Sequence, residues 1–121
     1  MVIKETQNKG RGVFAEKDYK KGELIEICPV VVLSAKQRQL IDKTELFNYY
    51  FGWEDGQAGI VLGYGMMYNH SFRPNAEYSK NFLDRTVAVL AHQNIKSNSE
   101  ITVNYNGKPK SQAKIWFNTK E

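Results

Sequence analysis

The 121-residue chain holds one cysteine, Cys28, and two histidines, His70 and His92. A single thiol excludes an internal disulfide and cannot by itself furnish a zinc site. Neither histidine has a second ligand at a metal-site spacing such as the i, i+4 pair of a zinc helix, so no metal is expected. No apolar run approaches the roughly 20 residues of a membrane span. The start, Met1-Val2-Ile3-Lys4-Glu5, lacks the apolar stretch of a signal peptide. These absences predict a soluble, intracellular protein with no membrane partner. A compact basic run with interleaved aromatics is also missing. Lys17, Lys20 and Lys21 lie near Glu16, Asp18 and Glu23, while Lys108, Lys110 and Lys114 are spread through the tail. The net charge of +4 therefore does not point to a nucleic-acid groove. There is no P-loop, no G-x-S-x-G elbow and no defensible Ser-His-Asp order.

What is present is ordinary globular composition, 41% hydrophobic and 12% aromatic, in a length that fits one domain spanning residues 1–121. Short strand signals recur: Val2-Ile3-Lys4, Val13-Phe14-Ala15, Leu24 to Cys28, Val30 to Leu33, Ile60-Val61-Leu62, Ala76 to Tyr78, Thr86 to Ala91 and Glu100 to Asn104. Pro29 interrupts the third of these, which predicts an edge strand or a bulge. Val87, Val89 and Ala91 can share one face. Ser34 with Gln37 forms a capping-box pattern ahead of a short helix, Ala35 to Leu40. Glu45 to Phe51 is apolar and aromatic, and periodicity does not separate helix from strand there. Asp55-Gly56 carries hairpin-turn chemistry. The sum is a mainly β domain with little helix.

Three groups of residues could carry chemistry, and each has a plainer reading. Gly10-Arg11-Gly12 could bring backbone amides to an anion, or simply close a tight hairpin. Asn69-His70, followed by Pro74-Asn75, could hold a polar ligand or be a buried hydrogen-bonded anchor. Tyr105, just after a strand, could aim its hydroxyl into a cleft or cap a small core. Cys28 sits in an apolar strand and reads as a small buried hydrophobe.

Their order is more informative than any one of them. Gly10-Arg11-Gly12-Val13-Phe14-Ala15, Lys21-Gly22-Glu23-Leu24-Ile25, Asn69-His70-Ser71-Phe72-Arg73-Pro74-Asn75 and Glu100-Ile101-Thr102-Val103-Asn104-Tyr105 resemble the SET-domain family of protein lysine methyltransferases. The likeness runs from about Val2 to Tyr105, and the chain resembles a minimal SET domain of the kind found in bacteria and large viruses. It implies a β-clip fold of short curved sheets with a C-terminal pseudoknot around Asn69-His70. It also implies S-adenosylmethionine as cofactor, with S-adenosylhomocysteine as product. By the same resemblance Lys9, Gly10, Arg11 and Gly12 would hold the amino acid end, and Asn69 and His70 the amino acid and adenine parts. Tyr105 matches the catalytic tyrosine, which also meets the cofactor. Tyr50 matches an aromatic shared by cofactor and lysine channel, and Tyr64 would be a further channel wall beside Tyr50 and Tyr105. No zinc modules flank the core, so residues 106–121 would complete the site, with Trp116 stacking on adenine or closing the channel, or serving only as a hydrophobic anchor. The expected substrate is a lysine-containing protein or peptide such as a histone tail, in the cytoplasm or, for histones, the nucleus. A homodimer is expected to cover the apolar surface that missing modules would leave bare. The alternative is a degenerate SET module that binds a partner without catalysis.

Overall fold

The structure, a computed structural model, describes residues 1–107. Among these residues nine strands run β1 Val2–Glu5, β2 Arg11–Phe14, β3 Leu24–Leu33, β4 Phe51–Gly52, β5 Ala58–Val61, β6 Asn69–His70, β7 Ala76–Asn81, β8 Thr86–Ala91 and β9 Glu100–Val103. One α-helix, α1 Ala35–Ile41, follows β3. The Ser34 hydroxyl accepts from Gln37 N–H at 3.1 Å and Gln37 Oε1 accepts from Ser34 N–H at 3.0 Å, so the capping box forms as expected. The ambiguous segment divides: Glu45–Asn48 is a 3-10 turn capped by Thr44, and Phe51 opens β4. Asp55 and Gly56 both have positive φ, 50° and 76°, and they turn β4 back onto β5. That left-handed pair is why Asp-Gly stands there.

The strands form two sheets, in the orders β1-β2-β9-β6 and β4-β5-β3-β8-β7. Pro29 is not a bulge, and the edge expectation holds only locally, since each half of β3 is paired on one side. β3 is a central strand running unbroken through it, and the register shift lies earlier, between Leu24 and Glu26. At Pro29 the strand changes partner: Leu24 to Pro29 pair with β8, and Val30 to Leu33 pair with β5. A residue with no N–H to give suits that handover. Its carbonyl accepts from Leu62 N–H at 2.9 Å, and the next amide, Val30 N–H, donates to Arg85 O at 2.9 Å.

Burial follows the pleat. Val87, Val89 and Ala91 of β8 are buried on one face, as their alternation predicts, together with Cys28, Val30 and Val61 from β3 and β5. In the other sheet Val13 packs with Ile101 and Val103. β9, the last described strand, lies inside its sheet between β2 and β6, and every residue from Ile101 to Asn104 is buried. This interior position of β9, paired in parallel with β6, is a tertiary feature that periodicity alone could not reveal. No helix among the described residues is long and apolar enough to cross a membrane.

Gly65 sits where the core has no room. A Cβ there would collide with Val61 Cγ1 and lie 3.3 Å from Cys28 Sγ. Gly65→Ala is expected to destabilise the fold by about 1–3 kcal/mol, read as a lowered urea midpoint with unchanged slope. An unchanged midpoint would mean that the β5 end is loosely packed.

Candidate active site

β6 is only two residues long and pairs in parallel with β9, Asn69 opposite Thr102 and His70 opposite Val103. Parallel pairing brings the chain beyond both strands out at the same end. There Tyr105 N–H donates to His70 Nδ1 at 2.9 Å, so a neutral imidazole carries its proton on Nε2. The His70 and Tyr105 rings lie 5.2 Å apart. Asn75 reinforces this pair from the side. Its amide donates to Glu100 O at 2.8 Å and its Oδ1 accepts from Thr102 N–H at 2.9 Å, so one side chain imitates a neighbouring strand.

Asn69 reaches the other way. Its Nδ2 donates to Arg11 O at 3.0 Å and to Glu100 Oε2 at 2.7 Å, tying β6 to β2 and β9. Gly12 allows this approach: a Cβ there would collide with Glu100 Oε2 and stand 2.8 Å from Asn69 Nδ2. Gly10 has φ +70° and open space where a Cβ would point. Lys9 Nζ reaches His70 O at 3.4 Å. Lys9, Gly10, Arg11, Gly12, Asn69 and His70 therefore converge, though from separate strands and loops.

Tyr105 faces a cavity of about 260 Å³, whose lining includes Arg38, Tyr49, Tyr50, Met66, Tyr78 and Lys80. The Tyr105 hydroxyl donates to the main-chain carbonyl of Tyr68 at 2.7 Å. Burial pushes its phenol well above the ordinary range. Tyr78, whose hydroxyl donates to Tyr105 O at 3.2 Å, is pushed up to about 12 by burial. Tyr50 lines the same cavity, but its hydroxyl is already engaged: it donates to Asp42 Oδ1 at 2.6 Å and accepts from Arg38 Nε at 2.7 Å. It therefore offers the cavity its ring. Tyr64 is not among the lining residues, and its hydroxyl donates to Met1 O at 3.0 Å. The walls expected of it are supplied by Tyr49, Tyr68 and Tyr78. Cys28 is buried as expected, and burial with the nearby Glu26 carboxylate pushes its thiol up to about 12. Among the described residues no cluster of three metal-ligating side chains occurs.

The family model for the SET domain matches residues 10–106, which span the glycine turn, the Asn69-His70 strand and Tyr105. The chain belongs to the SET-domain family. SET domains are the catalytic units of protein lysine methyltransferases, and they use S-adenosylmethionine. The chain is 35% identical to a histone-lysine N-methyltransferase of Schizosaccharomyces pombe specific for H3 lysine-37, over 87% of this chain and 72% of that protein. It is 31% identical to a variant-silencing SET domain-containing protein of Plasmodium falciparum, spanning 87% of this chain but only 5% of that protein. Among solved structures, a candidate histone methyltransferase of Plasmodium falciparum superposes with a TM-score of 0.70 at 32% identity, covering 88% of this chain and 97% of that one.

The turn cluster of this SET domain suits the amino acid end of the family's cofactor. A zwitterion needs acceptors for its ammonium and donors for its carboxylate. The Glu100 carboxylate and Arg11 carbonyl are acceptors, held in place by the two N–H groups of Asn69, and Lys9 Nζ is a donor. Trp116 lies outside the described residues. Sequence reasoning missed Tyr49, Tyr68 and Tyr78. Tyr68 had a signal, since it directly precedes Asn69; Tyr78 had none, because only the β7–β8 pairing carries it to the cavity.

Gly12→Ala is expected to break the Asn69–Glu100 contact, with a stability loss of about 1–3 kcal/mol by denaturant titration. Gly10→Ala, with open space but positive φ, should cost less. Equal losses would contradict the close-approach role of Gly12.

Proposed function

We propose that this SET domain methylates a lysine side chain of a protein substrate, with histone tails as the substrate class and the nucleus as the place of action. One observation carries the reading: the Tyr105 hydroxyl is held on the Tyr68 carbonyl at the wall of an aromatic cavity, directly beside the Asn69-His70 cluster. The histone preference rests on the relatives, one of which is named for H3 lysine-37.

When bound, S-adenosylmethionine supplies an electrophilic methyl group on a sulfonium. In this proposal Lys9, Gly10, Arg11, Gly12, Asn69 and His70 bind its amino acid and adenine ends. Tyr105 and the Tyr68 carbonyl form an oxygen-lined patch that orients the reacting groups. The rings of Tyr49, Tyr50 and Tyr78 exclude water from an entering lysine. Free lysine titrates at about 10.4, and only its neutral amine can attack. The cavity favours that form in two ways. Its apolar walls disfavour charge, and Arg38 and Lys80 already place cations in its lining. Burial keeps Tyr105 and Tyr78 protonated, so neither serves as the base, and the lysine gives its proton to solvent before its amine is enclosed by the rings. Tyr105 is thus an orienting group. Trp116, in the tail 106–121, is proposed to stack on the adenine or close the channel.

Tyr105→Phe is expected to keep the fold and cofactor affinity but to lower single-turnover methyl transfer by about 100-fold or more. Wild-type turnover in that variant would remove Tyr105 from the chemistry. Asn69→Ala leaves Glu100 and the turn carbonyl without their donor, and should weaken S-adenosylmethionine binding by about 5–150-fold in calorimetry. Unchanged affinity would take Asn69 out of the site. Cofactor binding without transfer to any lysine-rich protein would favour a partner-binding module.

A further inference from the structure

Glu26 lies outside the clusters above. It stands on β3, just past the register shift that follows Leu24. Its carboxylate points to the loop before β6, where Tyr68 Oη donates to Glu26 Oε1 at 2.7 Å. The second carboxylate oxygen lies 3.5 Å from Tyr64 N–H, and a Cβ on Gly63 would come within 2.9 Å of it. Gly63 has φ +67°, so this loop both needs and uses a glycine to admit the carboxylate. Tyr68 is 2% exposed, and burial holds its phenol protonated, so it is a donor to Glu26. A hydrogen bond to a carboxylate is shorter and stronger than a neutral one.

Tyr68 therefore carries two ties. Its side chain is anchored to β3 through Glu26, and its main-chain carbonyl receives the Tyr105 hydroxyl. The β6–β9 register begins at Asn69, one residue beyond, and β6 is a two-residue strand at the sheet edge. Strand pairing alone leaves the 68 carbonyl weakly held, and the ring anchor supplies the missing constraint. We infer that Glu26 is a positioning residue for methyl transfer: it fixes the Tyr68 ring, and through it the carbonyl that aims the Tyr105 hydroxyl. This rests on the methyltransferase reading above.

The test uses the full chain as wild type, Tyr68→Phe, Glu26→Ala, Glu26→Gln and the Glu26→Ala/Tyr68→Phe double variant. Methyl transfer from labelled S-adenosylmethionine to histone H3 gives kcat and KM, and calorimetry gives cofactor affinity. A crystal structure of Tyr68→Phe gives the distance from Tyr105 Oη to the residue-68 carbonyl. Tyr68→Phe and Glu26→Ala are each expected to lower kcat about 10-fold with KM and cofactor affinity nearly unchanged. The double variant should fall no further, because both lesions cut one link. Glu26→Gln keeps an acceptor oxygen and should retain most of kcat. In Tyr68→Phe the Tyr105 hydroxyl should move beyond about 3.5 Å from the carbonyl. An unchanged kcat, additive losses, or a loss in Glu26→Gln equal to that of Glu26→Ala would overturn the inference. If Glu26→Ala does not fold, Tyr68→Phe and Glu26→Gln decide it. If the wild type transfers no methyl, the reaction reading fails, while the distance in Tyr68→Phe still decides the positional link.

Discussion

The parallel pairing of β6 with β9 is the constraint on which the site depends. Two registered residue pairs set Asn69 and His70 against a strand that sits inside its sheet. The proposed site residues Asn69, His70 and Tyr105 are placed relative to that pair. His70 receives the amide of Tyr105, Asn69 reaches β2 and Glu100, and the carbonyl just before Asn69 receives the Tyr105 hydroxyl. A strand of two residues has little strength of its own. Asn75 compensates by bonding β9 along its backbone, and the burial of Ile101 to Asn104 removes competing water.

Among the described residues that line the cavity, none is suited to accept a proton near neutral pH. Its buried tyrosines are held protonated, Tyr50 is committed to Asp42 and Arg38, and the charged side chains in its lining are cations. Such a wall suits a reaction whose nucleophile must arrive neutral and whose barrier is lowered by alignment. Two acidic groups stand close by: Asp42 behind the wall, accepting from the Tyr50 hydroxyl, and Glu100 in the turn cluster, where Asn69 engages it. Charge is thus divided between two regions: acceptors and donors mixed at the turn, and aromatic rings with cations at the cavity.

Much of this was legible because it depends on local chemistry. Ser34 with Gln37 and Asp55 with Gly56 determine their own surroundings, and both form as read. The Asn69 to Asn75 block and Tyr105 were legible through their spacing, since the family resemblance lies in that order. Pro29 was legible only in part because its meaning is tertiary: nothing local tells that β3 exchanges one partner for another at that residue. Tyr64 and Tyr68 show the same limit. They are four residues apart in a turning segment, and only the packing sends one hydroxyl to Met1 and the other to Glu26. Tyr78 reaches the cavity from a hairpin strand whose register no pattern of its own reveals.

The central claim is that this cavity methylates lysine. Its most direct test is mass spectrometry of purified histones and other lysine-rich proteins after incubation with the chain and S-adenosylmethionine. The account predicts methyl additions confined to lysine side chains and dependent on the cofactor. Intact, cofactor-binding protein that leaves every lysine unmodified would contradict it.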